Sequence, residues 1–163
     1  MPRVRAPASC TSCAGRALAQ VLLAAVGALA AGNVLALEFR STTEAATILY
    51  DGPSLKSQKV FVVGRDYPLE IVVALDGWVK VRDMAGAPLA WVERRSLSDK
   101  RFVVVKSAVA DVLAAGEQGA KTVFRVESHV LLELLEPPVS GWAKVRHRDG
   151  QTGYIAIGQV WGL

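Results

Sequence analysis

Two stretches of the chain bring an aromatic ring and two cations onto one strand. Gly77-Trp78-Val79-Lys80-Val81-Arg82 and Gly141-Trp142-Ala143-Lys144-Val145-Arg146 lie 64 residues apart and differ at one position. Successive strand side chains point to opposite faces. Val79 and Val81 therefore face one way and Trp78, Lys80 and Arg82 the other. In the second stretch Ala143 and Val145 oppose Trp142, Lys144 and Arg146. With the valines in a core, each stretch presents a ring beside two positive charges. Such a surface suits a sugar ring next to a carboxylate, as peptidoglycan offers, or an acidic peptide. The alternative packs Trp78 and Trp142 under a loop or against a neighbouring barrel, since Trp is usually well buried. Tyr50 and Tyr154 are further candidate binding residues, although Tyr154, like Trp91, reads as a core or rim position ahead of a binding one. Trp161 reads as a cap or an interface seal.

The remaining chemistry-bearing residues do not assemble into a catalytic set. His147 sits among Arg146, Arg148 and Asp149 at a turn, which favours solvated charge over metal or acid–base work. Glu133 and Glu136 flank Leu134-Leu135 and read as solvent-facing. Ser54, Ser107 and Ser140 have no His or Asp companions at matching places, so no enzyme activity is expected. Cys10 and Cys13 are the only cysteines. Their C-x-x-C spacing lacks the other ligands that a zinc site needs, and no metal or cofactor is expected.

Both cysteines precede an apolar run, Ala17 to Ala31, which follows Arg3, Arg5 and Arg16 and leads to Val34-Leu35-Ala36. A basic lead, an apolar centre and a small-residue exit predict a signal peptide over residues 1–36 and a periplasmic location. The alternative is an uncleaved anchor in the inner membrane, because 21 residues from Ala17 to Leu37 are about the ~20 that span a bilayer. With the signal removed, no stable membrane insertion is expected. The whole chain carries +4, from Lys+Arg 19 against Asp+Glu 15. Three of those arginines and no acid fall in residues 1–36, leaving 16 against 15 beyond them. A near-neutral remainder gives no electrostatic case for nucleic acid.

Beyond Ala45 the pattern is β. Strand-forming runs at Ala46–Tyr50, Val60–Val63, Leu69–Leu75, Trp78–Arg82 and Leu89–Val92 are separated by turn clusters such as Asp51-Gly52-Pro53-Ser54 and Asp76-Gly77. Glu38–Ala45, polar but for Phe39, reads as a lead-in arm. The order then repeats: Val112 follows Leu49 by 63 residues, Val123-Phe124 follows Val60-Phe61 by 63, and Tyr154-Ile155 follows Trp91-Val92 by 63. Offsets change only in loops, as a duplication leaves them. Val109–Ala115 takes the strand assignment of its copy. An all-β chain of two small antiparallel barrels follows, over residues 37–98 and 99–163. The short charged segment Glu93–Arg101 favours barrels packed side by side.

Each unit resembles the bacterial SH3-like (SH3b) domain. The marks are Leu49-Tyr50-Asp51-Gly52-Pro53-Ser54, Gly77-Trp78-Val79-Lys80-Val81 and Trp91-Val92 with Leu97 in the first copy. In the second they are Gly141-Trp142-Ala143-Lys144-Val145 and Gly153-Tyr154-Ile155 with Val160. The resemblance covers residues 45–163 and implies two tandem SH3-like barrels that bind rather than catalyse. The implied partner is peptidoglycan or another cell-wall component, or an envelope protein. The copies depart from the family pattern: Tyr50 and Asp51 stand where Asn and Arg are usual, and the second copy lacks the proline. Leu49-Tyr50-Asp51 also resembles the opening of eukaryotic SH3 domains, whose tyrosine holds proline-rich peptides.

Overall fold

The computed structural model describes residues 37–86 and 88–163. The expectations for residues 1–36, the signal peptide or anchor and the Cys10/Cys13 pair, lie outside the described residues. The first copy runs β1 (Glu38–Thr42), β2 (Thr47–Tyr50), β3 (Lys59–Val63), β4 (Pro68–Ala74), β5 (Trp78–Arg82) and β6 (Ala90–Glu93). A 3-10 turn (Arg94–Ser96) then leads to β7 (Leu97–Ser98). The second runs β8 (Phe102–Val105), β9 (Val109–Leu113), β10 (Thr122–Glu127), β11 (Leu131–Leu134), β12 (Trp142–Arg146) and β13 (Thr152–Ala156). It ends in a 3-10 turn (Ile157–Gln159) and β14 (Val160–Trp161). The two antiparallel sheets have the orders β3-β2-β6-β5-β4-β1-β7 and β10-β9-β13-β12-β11-β8-β14. The second is the first advanced by seven strands, so the duplication is as plain in space as in sequence. Among the described residues no helix is long and apolar enough to cross a membrane.

Val109–Leu113 is a strand, as its copy predicted. Glu38–Ala45 is not a lead-in arm: β1 pairs with β4, setting Phe39 against Glu70, and with β7, setting Thr42 against Leu97. Its composition disguised it. Ser41 and Thr42 are buried, where polar groups are tolerated only with hydrogen bonds. The Thr42 hydroxyl donates to the Gly64 carbonyl at 2.6 Å and accepts from the Tyr67 N–H at 3.0 Å. At an offset of 63, Phe39-Arg40-Ser41-Thr42 aligns with Phe102-Val103-Val104-Val105, the apolar run of β8.

The alternation read from sequence holds on both Gly-Trp strands. Val79 and Val81 are buried with Leu49, Leu69 and Val92 in the first core. Ala143 and Val145 join Val112, Leu132 and Ile155 in the second. The second core is the fuller because β8 adds Val103 and Val105, where β1 has Arg40 and Thr42.

The barrels pack against each other along β1 and β8. Phe39 meets Trp161 edge-on, and the Phe102 N–H donates to the Ser41 hydroxyl at 3.2 Å. The three residues between β7 and β8 are all engaged. Asp99 pairs with Arg40, and Lys100 with Glu133 at 3.3 Å. Arg101 donates to the Gly162 carbonyl at 3.0 Å while its guanidinium lies 5.8 Å from the Phe39 ring centre. Gly162 itself, at φ +109, sits where a Cβ would come within 2.9 Å of Phe102 O and of Pro68. The seam is tight enough to demand glycine.

Candidate functional site

Each Gly-Trp strand is aimed by the turn before it. Gly77 at φ 74 and Gly141 at φ 86 adopt left-handed conformations that favour glycine. Their carbonyls accept from Arg94 N–H and Ile157 N–H, both at 3.0 Å, so the same bond locks both copies. Trp78 and Trp142 therefore start their strands from equivalent places.

In the first barrel the outward side chains form a connected aromatic row. Strand register sets Tyr50 of β2 against Trp91 of β6, and Trp91 against Lys80 of β5. The Tyr50 and Trp78 rings meet edge-on at 5.5 Å and 86°. The Lys80 ammonium sits 5.7 Å from the centre of the Trp91 ring, within cation–π range. Tyr50 is only 7% exposed, so it supports the row from beneath, while Trp78, Lys80 and Trp91 are half-buried. The adjoining loop is braced by its own bonds. Asp51 N–H donates to the Gln58 carbonyl at 3.0 Å, and Gln58 N–H to the Asp51 carboxylate at 2.9 Å.

The second barrel keeps the positions and changes the surface. Leu113 stands where the first has Tyr50, and Tyr154, paired with Lys144, stands where it has Trp91. The loop after β9 crosses this face. A Cβ on Gly116 would lie 3.3 Å from Trp142 and 3.4 Å from Tyr154, so the loop backbone rests on both rings. Trp142 thus follows the alternative stated from sequence, packing under a loop.

Three of the four candidate cations are engaged by carboxylates. Arg82 approaches both oxygens of Glu70 at 3.4 Å. Arg146 binds Glu133 through Nε at 3.0 Å and Nη2 at 2.7 Å. Lys144 donates to Glu136 at 2.5 Å, a bond that raises its pKa. Lys80 makes no such pair among the described residues. Glu133 does not face solvent as read from sequence: its side chain is 17% exposed between Arg146 and Lys100. Burial pushes its carboxyl up, but hydrogen bonds and charge from those two cations hold it below the ordinary range. Glu70 and Glu133 are copies at an offset of 63, each set across from its arginine by β-sheet register. That internal alignment carried the signal, though neither residue stood out on its own. His147 is likewise half-buried at its turn. Its ring tilts against Phe124 at 5.9 Å and its Nδ1 lies 3.0 Å from Asp149. Asp149 is held below the usual carboxylate range by the Gln151 N–H and then by His147.

Two seven-stranded antiparallel sheets, each with a 3-10 turn before its last strand and a Gly-Trp strand at its centre, define a tandem of small SH3-like barrels. The Bacterial SH3 domain model matches the chain twice, at residues 44–99 and 107–162, and the chain belongs to that family. Both matched segments begin just after the strand that forms the seam. No curated protein gives a match. Among solved structures it is similar to NlpC2 from Trichomonas vaginalis (16% identity, TM-score 0.35), covering 78% of this chain and 49% of that one. NlpC1 from the same organism gives 18% identity and TM-score 0.35 over 77% and 45%. An NlpC/P60 family protein from Bacillus cereus ATCC 10987 gives 13% identity and TM-score 0.35 over 76% and 56%. The chain spans about half the length of each of these.

Proposed function

We propose that this chain is a non-enzymatic binding module of the bacterial cell envelope, exported to the periplasm by residues 1–36. Its first barrel would hold peptidoglycan or a similar glycan on the Trp78–Trp91–Lys80 face. Membership of the bacterial SH3 domain family supports a binding role. The observation that carries the ligand class is the aromatic row with Lys80 beside it, the one cation of the four candidates that no carboxylate takes up among the described residues. Half-buried rings offer a stacking platform for a sugar, and an ammonium at their edge suits a neighbouring carboxylate. The second barrel, with its loop over Trp142 and its cations paired, acts as support on this reading.

A second reading, a protein-interaction subunit of an envelope assembly, draws on the exposed apolar side chains Phe61 and Val62 of β3. Co-sedimentation with purified sacculi distinguishes the two. The glycan reading expects the protein to pellet with sacculi, Trp78→Ala to lose that binding while remaining folded, and Trp142→Ala to retain it. Failure of the intact protein to pellet overturns the glycan reading in favour of a partner chain.

A further inference from the structure

A groove of about 840 Å³ opens where the β3–β4 turn of the first barrel meets the second barrel. The first barrel contributes Arg65 and Asp66; the second contributes Lys100, Glu133, Arg146 and Arg148. Both histidines of the chain, His129 and His147, line it as well. Four permanent cations thus face two carboxylates, an excess of two charges in one groove. Residues 37–163 as a whole carry an excess of one, so positive charge is concentrated here against the average.

The internal repeat shows where part of that basic lining arises, including two of the four cations, Lys100 and Arg148. At offsets of 63 and 64, Lys100, His129, His147 and Arg148 replace Leu37, Asp66, Asp83 and Met84 of the first copy. Two acids and two apolar residues in one barrel have become four basic residues in the other, all four on the wall of one groove. The framework is otherwise the same. Asp66 and His129 both take a left-handed conformation, at φ 64 and 68. Both donate backbone N–H groups to the strand below, Asp66 to Thr42 O at 2.9 Å and His129 to Val105 O at 2.8 Å.

The cations are also held in place. Glu133, half-buried, binds Arg146 with one oxygen and lies 3.3 Å from Lys100 with the other. The Lys100 ammonium lies 4.9 Å from the centre of the Phe102 ring, itself part of the groove wall. One carboxylate therefore anchors two cations and leaves a positive charge over. A guanidinium has five N–H donors and an ammonium three, so most remain for a ligand. The side chains of Arg65 and Arg148 make no ion pair among the described residues.

We propose that this inter-barrel groove is an oxyanion-binding site, which takes a ligand bearing carboxylate or phosphate groups on Arg146, Lys100, Arg148 and Arg65. It stands apart from the Trp78 face and holds whether or not that face binds a glycan. None of Trp78, Lys80 and Trp91 lines the groove, whereas Arg146, at the far end of β12 from Trp142, does.

The test is an NMR titration of the isotopically labelled full chain with citrate, a tricarboxylate, and separately with inorganic pyrophosphate. At least one probe is expected to shift the signals of Lys100, His129 and Arg148 saturably, and the tighter probe identifies the preferred oxyanion. Arg148→Glu, at an exposed turn, is expected to weaken that binding about tenfold through loss of a charge-assisted hydrogen bond. Lys56→Glu makes the same change of charge on the exposed β2–β3 loop and is expected to leave binding unaltered. Absence of saturable shifts with both probes, or equal weakening by both reversals, overturns the proposal.

Discussion

The indole of Trp161 meets the ring of Phe39 edge-on, with 5.0 Å between centroids and 86° between planes. One residue lies on the first strand of the first barrel and the other on the last strand of the second. A double-mutant cycle with Phe39→Leu and Trp161→Leu, read by denaturant unfolding, should give a coupling of about 0.5–1.5 kcal/mol. Additive effects would mean that the pair contributes only its separate burial.

Glu133 makes the seam-side charges dependent on pH. Its folded-state pKa lies below the ordinary 4.5, so its contribution is present above that value and lost as pH falls through the depressed one. Arg146 and Lys100 are about half exposed, so screening keeps the effect modest. Glu133→Gln should cost about 1 kcal/mol near neutral pH, and the gap from the natural protein should close in acid. A gap that persisted unchanged below the carboxylate range would refute the ion-pair account.

The two barrels require opposite residues at one equivalent position, so each should lose stability on taking the other's. A Cβ on Gly153 would lie 2.6 Å from Val112 Cγ1 and 2.7 Å from the Leu113 carbonyl. Gly153→Ala should therefore destabilise by about 1–3 kcal/mol through overpacking. Its counterpart Ala90 is 2% exposed and already holds a methyl group. Ala90→Gly should lose about 0.5–1 kcal/mol, chiefly by loosening the unfolded chain and the strand. Thermal unfolding of the two variants checks both.

Charge reversal should separate the two Gly-Trp strands. Lys80 lies over Trp91 with no carboxylate partner among the described residues, whereas Lys144 is tied to Glu136. On the glycan reading, Lys80→Glu should weaken sacculus binding about tenfold, and Lys144→Glu should leave it within about twofold. Equal losses in the pelleting assay would place the site elsewhere.

The strands and the duplication were legible because they rest on local alternation and turn chemistry, both written residue by residue in stretches such as Asp76 to Arg82. β1 was not, since Ser41 and Thr42 are buried through hydrogen bonds to Phe102, Gly64 and Tyr67, partners that no local pattern announces. The outward row of Trp78, Lys80 and Arg82 was legible as a face. Its partners were not. Glu70 reaches Arg82 through a register that shifts between Ile71 and Val73, and Trp142 is covered by a loop some 26 residues before it in sequence. The groove arises only when two barrels dock, so Arg65 and Arg148 gave no joint signal.

The seam formed by Phe39, Ser41, Phe102 and Gly162 has a consequence for avidity. Freely linked modules explore many spacings, and their joint affinity depends on the length of the tether. Here three clamped residues replace the tether, and each barrel uses its opening strand to hold the other. A ligand that reached both the Trp78 face and the inter-barrel groove would meet them at a fixed separation, so its joint affinity would depend on its own spacing and not on the length of a tether.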